Sequence, residues 1–125
     1  MGTALAITLG CAPAPRRVAQ QFVDAYYVET RLDRALSLTI GAAHDRVADT
    51  IRGLGTVPQS TDARPTLGWR ILDEQVGHER ARFVFRLSSR IEGKIQRSLR
   101  TFITVRKQPD GRWFVTGFAE KSSVR

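Results

Sequence analysis

A carboxyl group and a phenol enclosed in one apolar shell can move a proton on and off a small substrate. Burial raises the carboxyl pKa, and the phenol donates to a developing oxyanion. The residues of this chain that fit those roles are Glu74, with Tyr26 or Tyr27 as the donor. Arg97 shares side-chain parity with Leu99 and Ile103, which places it to reach the mouth of the same space as an anion clamp. His44 beside Asp45 has the composition of a proton-transfer pair, but both also suit the first turn of a helix, where Asp45 complements the helix dipole. His44 and His78 fall in different elements and Cys11 is the single cysteine, so no metal site, intramolecular disulfide or cofactor is expected. None of these residues specifies a reaction by type and spacing alone. Their meaning depends on the elements that bring them together.

The chain has 125 residues, enough for one domain that buries roughly two-thirds of its unfolded surface without staples. Pro15 suits a first helical turn, and Val18, Phe22, Ala25 and Tyr26 follow at three- and four-residue spacing, predicting a helix from Pro15 to Leu32. Asp33 is placed to cap a short second helix ending near Gly41. A third carries Ala43, Val47, Ala48, Ile51 and Leu54 on one face and Arg46, Asp49 and Arg52 on the other, with Gly53 and Gly55 to stop it. By the same helical phases Asp24 and Asp45 face solvent. Residues 56–65, rich in Pro, Ser, Thr and Asp, read as a loop.

From Thr66 the apolar period changes to two. Ala81, Phe83, Phe85 and Leu87 alternate with polar neighbours, as do Leu99, Ile103 and Val105, which predicts strands with one oily face. A loop at Ile91-Glu92-Gly93 pairs Phe85 with Leu99, and one at Pro109-Asp110-Gly111 pairs Val105 with Val115 and Ile103 with Gly117. In the entering strand, Leu67, Trp69 and Ile71 differ in parity from Glu74 and Val76. A bulge near Leu72, or a two-residue turn at Gly77-His78, reconciles them.

Three helices followed by a twisted antiparallel sheet that closes on Gly111-Arg112-Trp113-Phe114-Val115-Thr116-Gly117-Phe118 resemble the nuclear transport factor 2-like superfamily. This is a cystatin-like α+β fold that also houses ketosteroid isomerases and scytalone dehydratase-type enzymes. The resemblance covers about Pro15 to Lys121. It implies a cone in which the sheet curls over the first helix, a pocket inside and a dimer face outside. In that frame Ala81, Gly117 and Ala119 would leave room for a small apolar or anionic ligand. Phe22, Tyr26, Glu74, Phe83 and Thr101 would line the space, and Arg97 would stand at its mouth. Glu74 and Tyr26 are then the catalytic candidates, although the superfamily's two-acid arrangement cannot be mapped onto this chain.

Residues 1–14 resemble the truncated end of a bacterial lipoprotein signal. An apolar run, Ala4-Leu5-Ala6-Ile7-Thr8-Leu9, precedes Gly10-Cys11, and Ala12-Pro13-Ala14-Pro15 forms a tether. The resemblance implies lipidation of Cys11 and a place in the bacterial cell envelope, with a cytoplasmic location as the alternative. The domain proper would run over 15–125.

Positive charge is segregated. Residues 64–125 hold fourteen Lys/Arg against six Asp/Glu, which is the whole net charge of +8, whereas residues 1–63 hold six against six. With the turns above, Phe102 faces Phe118 on the outer sheet surface, and Val84, Phe102, Phe114 and Phe118 form an apolar cluster framed by Arg80, Arg82, Arg86, Arg100 and Arg106. A homodimer through this face is expected, with anionic membrane as a further partner. Nucleic acid is disfavoured because no recognised binding motif is present. These features favour a non-enzymatic, membrane-tethered binding domain. The alternatives are a small-molecule isomerase or dehydratase using a pocket carboxylate, and a basic nucleic-acid-associated module.

Overall fold

The computed structural model describes residues 14–54, 66–91 and 94–122, so the expectations for Cys11 and for the 56–65 loop lie outside the described residues. Helix α1 (Pro15–Val23) opens on Pro15, whose missing N–H is not needed there, and buries Val18, Ala19, Phe22 and Val23. It does not continue to Leu32. A π-turn (Asp24–Val28) follows, in which the Glu29 N–H reaches back to Asp24 O at 2.7 Å and the Arg31 N–H to Ala25 O at 2.7 Å. Thr30 then takes φ 52°, a left-handed conformation uncommon for a β-branched residue, and turns the chain into α2 (Leu32–Ser37). The residue at the α2 N-cap is Arg31 rather than Asp33, which lies inside the first turn and complements the dipole instead. Helix α3 (Gly41–Leu54) begins at Gly41, whose φ of 65° suits a residue without Cβ, and runs through Gly53 instead of stopping there.

Four antiparallel strands follow, β1 (Thr66–Val76), β2 (Arg80–Ile91), β3 (Lys94–Lys107) and β4 (Trp113–Ser122), in sheet order β1-β2-β3-β4. The register between β1 and β2 shifts between Ile71 and Asp73, so Leu72 is the expected bulge. Between β2 and β3 the pairing sits two residues from the expected one, with Phe85 facing Thr101 and Leu87 facing Leu99. A two-residue shift keeps every side chain on its face.

The β3–β4 hairpin turns as the Asp110-Gly111 signal requires. Gly111 has φ 90°, and the Gln108 N–H donates to Arg112 O at 2.8 Å. Val105 faces Val115 as expected, but Thr104 then faces Gly117, leaving Thr116 as an extra residue in β4. A one-residue shift reverses the faces of the rest of the strand. Phe118 therefore faces Ile103 in the core at 8% exposure, not Phe102 on the outer surface, and Glu120 turns inward opposite Thr101. Gly117 and Ala119, expected to leave space inside, take the outward parity, and Phe102 faces Ala119.

Phe22, Phe83, Phe85, Ile103 and Val115 form the buried centre between α1 and the sheet. The linker between α2 and α3 is stitched to the outer edge of β4 just before the bulge. There the Val115 N–H donates to Leu38 O at 2.8 Å and Val115 O accepts from the Ile40 N–H at 3.0 Å. This anchorage holds Val115 while the strand slips by one residue beyond it.

Candidate functional site

Successive side chains on a regular α-helix diverge by about 100°. In the π-turn, by contrast, the rings of Tyr26 and Tyr27 lie 4.8 Å apart and nearly perpendicular, both packed against the core. Phe22 of α1 stacks on Tyr26 at 5.4 Å, and Phe118 packs against both, with ring centroids 4.9 Å from Phe22 and 5.0 Å from Tyr26. Ala81, expected to leave room, is 1% exposed and lies between Val76 and Val105 on its neighbouring strands.

Above this cluster lies a polar network. The Thr50 hydroxyl donates to Arg46 O at 3.0 Å, so the contact of 3.0 Å between the Tyr26 and Thr50 hydroxyls has Tyr26 as its donor. Tyr27 donates to Glu120 Oε2, which makes Thr101 the donor in its 3.0 Å contact with Tyr27 Oη. The second Glu120 oxygen, Oε1, accepts from Arg46 Nη2 at 2.6 Å, while Arg46 Nη1 donates to Phe118 O at 2.6 Å. The Arg46 guanidinium also lies over the Phe118 ring, 4.2 Å from its centroid. Burial, reinforced by the hydrogen bond to Glu120, pushes the Tyr27 pKa upward, and the Thr101 bond opposes it only in part. Tyr27 is therefore a neutral phenol whose proton is committed to a carboxylate already held by an arginine. The arrangement ties the π-turn, α3, β3 and β4 together and leaves neither Tyr27 nor Glu120 as a free base.

Several expected site residues are positioned otherwise. Glu74 pairs with Phe83 at the sheet edge, and its carboxylate, 33% exposed, forms an ion pair with Arg16 of α1 at 3.1 Å. It is a surface link between helix and strand, not a buried acid beside a tyrosine. Arg97 is exposed opposite Ser89 near the β2–β3 hairpin. Phe22, Phe83 and Thr101 do point inward and are fully buried. Asp24, expected to face solvent, accepts from Trp69 Nε1 at 2.7 Å. The sequence reading missed Arg46 and Glu120 as site residues. Arg46 adjoins Val47 on α3 and bears on the core side through its long side chain. Glu120 became visible only with the bulge, for which Gly117 inside a strand was the available signal.

The outer sheet face is a different environment. Arg70, Arg86, Arg100 and Lys121 are cross-strand neighbours in one row spanning all four strands. Next to it runs Asp73, Val84, Phe102 and Ala119, followed by Gln75, Arg82, Thr104 and Gly117. Arg80 and Arg106 pair beyond these, with Phe114 opposite Arg106. Among the described residues no carboxylate forms an ion pair with any of these cations. Like charges directly opposite each other destabilise a sheet, so this row is maintained at a cost to folding.

No protein-family model matches the chain, and no curated protein matches it. Several solved structures match it, among them two that do so along nearly its whole length. One, from Thiobacillus denitrificans, is described as a calcium/calmodulin-dependent protein kinase type II association domain; it superposes with a TM-score of 0.67 at 12% identity, covering 90% of this chain and 98% of that one. The other is a ketosteroid isomerase-like protein from Erwinia carotovora atroseptica, with a TM-score of 0.61 at 12% identity, covering 89% and 95%. The chain has the nuclear transport factor 2-like fold. Function must be argued from its own surfaces.

The polar network has a pH signature. Because the folded Tyr27 pKa lies above the ordinary phenol value of 10.0, the fold holds this proton more tightly than the unfolded chain does. That contribution is complete below the unfolded value and is lost as pH rises from there towards the folded one. Tyr27→Phe should flatten the alkaline fall in stability and remove one phenolate absorbance change that appears only on unfolding, both read by spectrophotometric titration. An unaltered titration would contradict the burial of this hydroxyl.

Proposed function

We propose that the chain is a non-enzymatic binding domain that meets its partner with the outer face of its sheet and is held at the bacterial cell envelope through Cys11. The observation that carries this reading is the four-strand row of cations, paired with no carboxylate among the described residues, beside the exposed Phe102, on a domain whose Phe22 and Phe118 rings pack together in the core. Proton transfer by a pocket carboxylate, the enzymatic alternative, needs that carboxyl group facing a substrate space. Here Glu74 is bound to Arg16 at the surface, and Glu120 is occupied by Tyr27 and Arg46. Self-association through the outer face has lost Phe118 to the core, and it would set rows of arginine against their own copies. An anionic partner fits the face better.

A neutral apolar fluorophore added to the protein should show no saturable binding. Saturable binding that quenches Trp69, which packs on Phe85 at 5.2 Å between ring centroids, would place a ligand in the core and contradict the proposal.

The envelope location rests on the lipoprotein-like run before Cys11 and on the start of α1 at Pro15, which leaves a short tether. Expressed with its native upstream sequence, the protein should fractionate with membranes and Cys11→Ser should release it. Equal retention of the serine variant would contradict lipid anchoring.

A further inference from the structure

We infer that the outer sheet face is a docking surface for an anionic phospholipid bilayer, with Arg70, Arg86, Arg100 and Lys121 as its charge and Phe102 as its apolar contact. This rests on the reading of that face as the working surface, and it names the partner.

Charge complementarity is the first argument. Adjacent strands lie about 4.8 Å apart, so the four-cation row extends about 14 Å across the sheet, and Arg82, Arg80 and Arg106 continue the charge in two dimensions. Among the described residues of these rows the only acid is Asp73. Of the other acids, Glu120 is turned inward onto Arg46, Glu74 is bound to Arg16 and Asp24 to Trp69, while Glu79 stands beside Arg80 and Arg106 at the far end of the face. A grid of positive charge matches a surface of headgroups.

The apolar groups supply the second argument. Val84 and Phe102 lie between cationic rows, Phe102 is 40% exposed, and Leu72 at the adjoining bulge is 42% exposed. Arginine stems and an aromatic ring suit the boundary between headgroups and acyl chains, where charge stays outward and carbon goes in. A single-stranded nucleic acid would need successive aromatic platforms along a groove. On this face the Phe114 ring already carries the Arg112 guanidinium, 5.1 Å from its centroid, which leaves Phe102 as the open ring among the described rows.

A third observation gives the surface a depression lined by donors suited to phosphate. Arg70, Arg86 and Arg90 surround a depression of about 280 Å³ whose lining includes Gly68 and Ser88. A Cβ at Gly68 would meet nothing within 4 Å, so the approach to the backbone is open. Guanidinium groups with an adjacent hydroxyl make the donor set that phosphate oxygens accept, and here they adjoin the end of the cationic row.

The test uses full-length protein carrying Cys11→Ser, so that no acyl chain contributes, in sedimentation with vesicles of phosphatidylglycerol mixed into phosphatidylcholine. Binding should rise with phosphatidylglycerol content, fall with added salt and be absent from pure phosphatidylcholine. Arg86→Gln with Arg100→Gln should weaken it about thirtyfold, at about fivefold per cation. Arg31→Gln with Arg52→Gln, the same change in net charge on exposed residues of the helical layer, should weaken it less than about threefold, with folding of both variants checked by circular dichroism. Equal loss in the two double variants would overturn the proposal, since net charge alone would then explain the binding. Binding of single-stranded oligonucleotide without binding of vesicles would overturn it while leaving the outer face as the working surface. A dimer that dissociates on Arg86→Gln with Arg100→Gln would overturn it in favour of a second copy. If neither polyanion nor second copy engages the face, the reading of that surface fails with it.

Discussion

Thr116 occupies a place in β4 for which β3 has no matching residue, and the conformation of that one position determines what the rest of the strand presents. Before it, Val115 faces Val105 and is held on its other side by the backbone of Leu38 and Ile40. After it, side-chain parity is reversed, so Phe118 enters the core and Glu120 follows it inward. Phe118 brings its ring against Phe22 and Tyr26, and its carbonyl receives Arg46. Glu120 then accepts from both Arg46 and Tyr27, which joins the last strand to α3 and to the π-turn. Burying a carboxylate is costly unless it is paired and hydrogen-bonded, and this one is both.

The π-turn is the helical counterpart of the bulge. Each inserts local irregularity into an otherwise regular element, and each re-aims side chains toward the same interior. Tyr26 and Tyr27 reach the core side together because the helix widens there, and Phe118 meets them because the strand slips. The rings of Phe22, Tyr26 and Phe118 consequently pack together between helix and strand. Outside, the same slip places Gly117 and Ala119 on the outer face, leaving Phe102 without a ring opposite it and the arginine rows without a carboxylate from β4. An inward-turned Phe118 and an exposed cationic face are thus two results of one register change.

Much of the architecture was readable from periodicity. The change from helical to alternating spacing at Thr66, the bulge at Leu72 and the turn at Asp110-Gly111 all follow from local rules, and the structure has each of them. An error of two residues in the β2–β3 register did no harm, since Ala81, Phe83 and Phe85 kept their face. An error of one residue beyond Val115 changed the site. Alternation over Trp113 to Glu120 is consistent with either face because the segment has apolar residues of both parities, Val115 on one and Phe114 and Phe118 on the other. Gly117 reads equally as a small residue making space and as the mark of a bulge inside a strand, and the structure has the bulge. The network of Arg46, Tyr27 and Glu120 joins three parts of the chain far apart in sequence, and no local spacing announces it.

The central claim is that β4 turns Phe118 inward and leaves Phe102 outside, and chemical denaturation of the two alanine variants tests it most directly. Burial of Phe118 predicts that Phe118→Ala costs about 3–5 kcal/mol, the range for a phenylalanine removed from a packed core. Phe102→Ala should change stability by no more than about 0.5 kcal/mol, as for an exposed side chain. The reverse order, with Phe102→Ala the damaging substitution and Phe118→Ala nearly neutral, would mean that the strand faces the other way and would contradict the account.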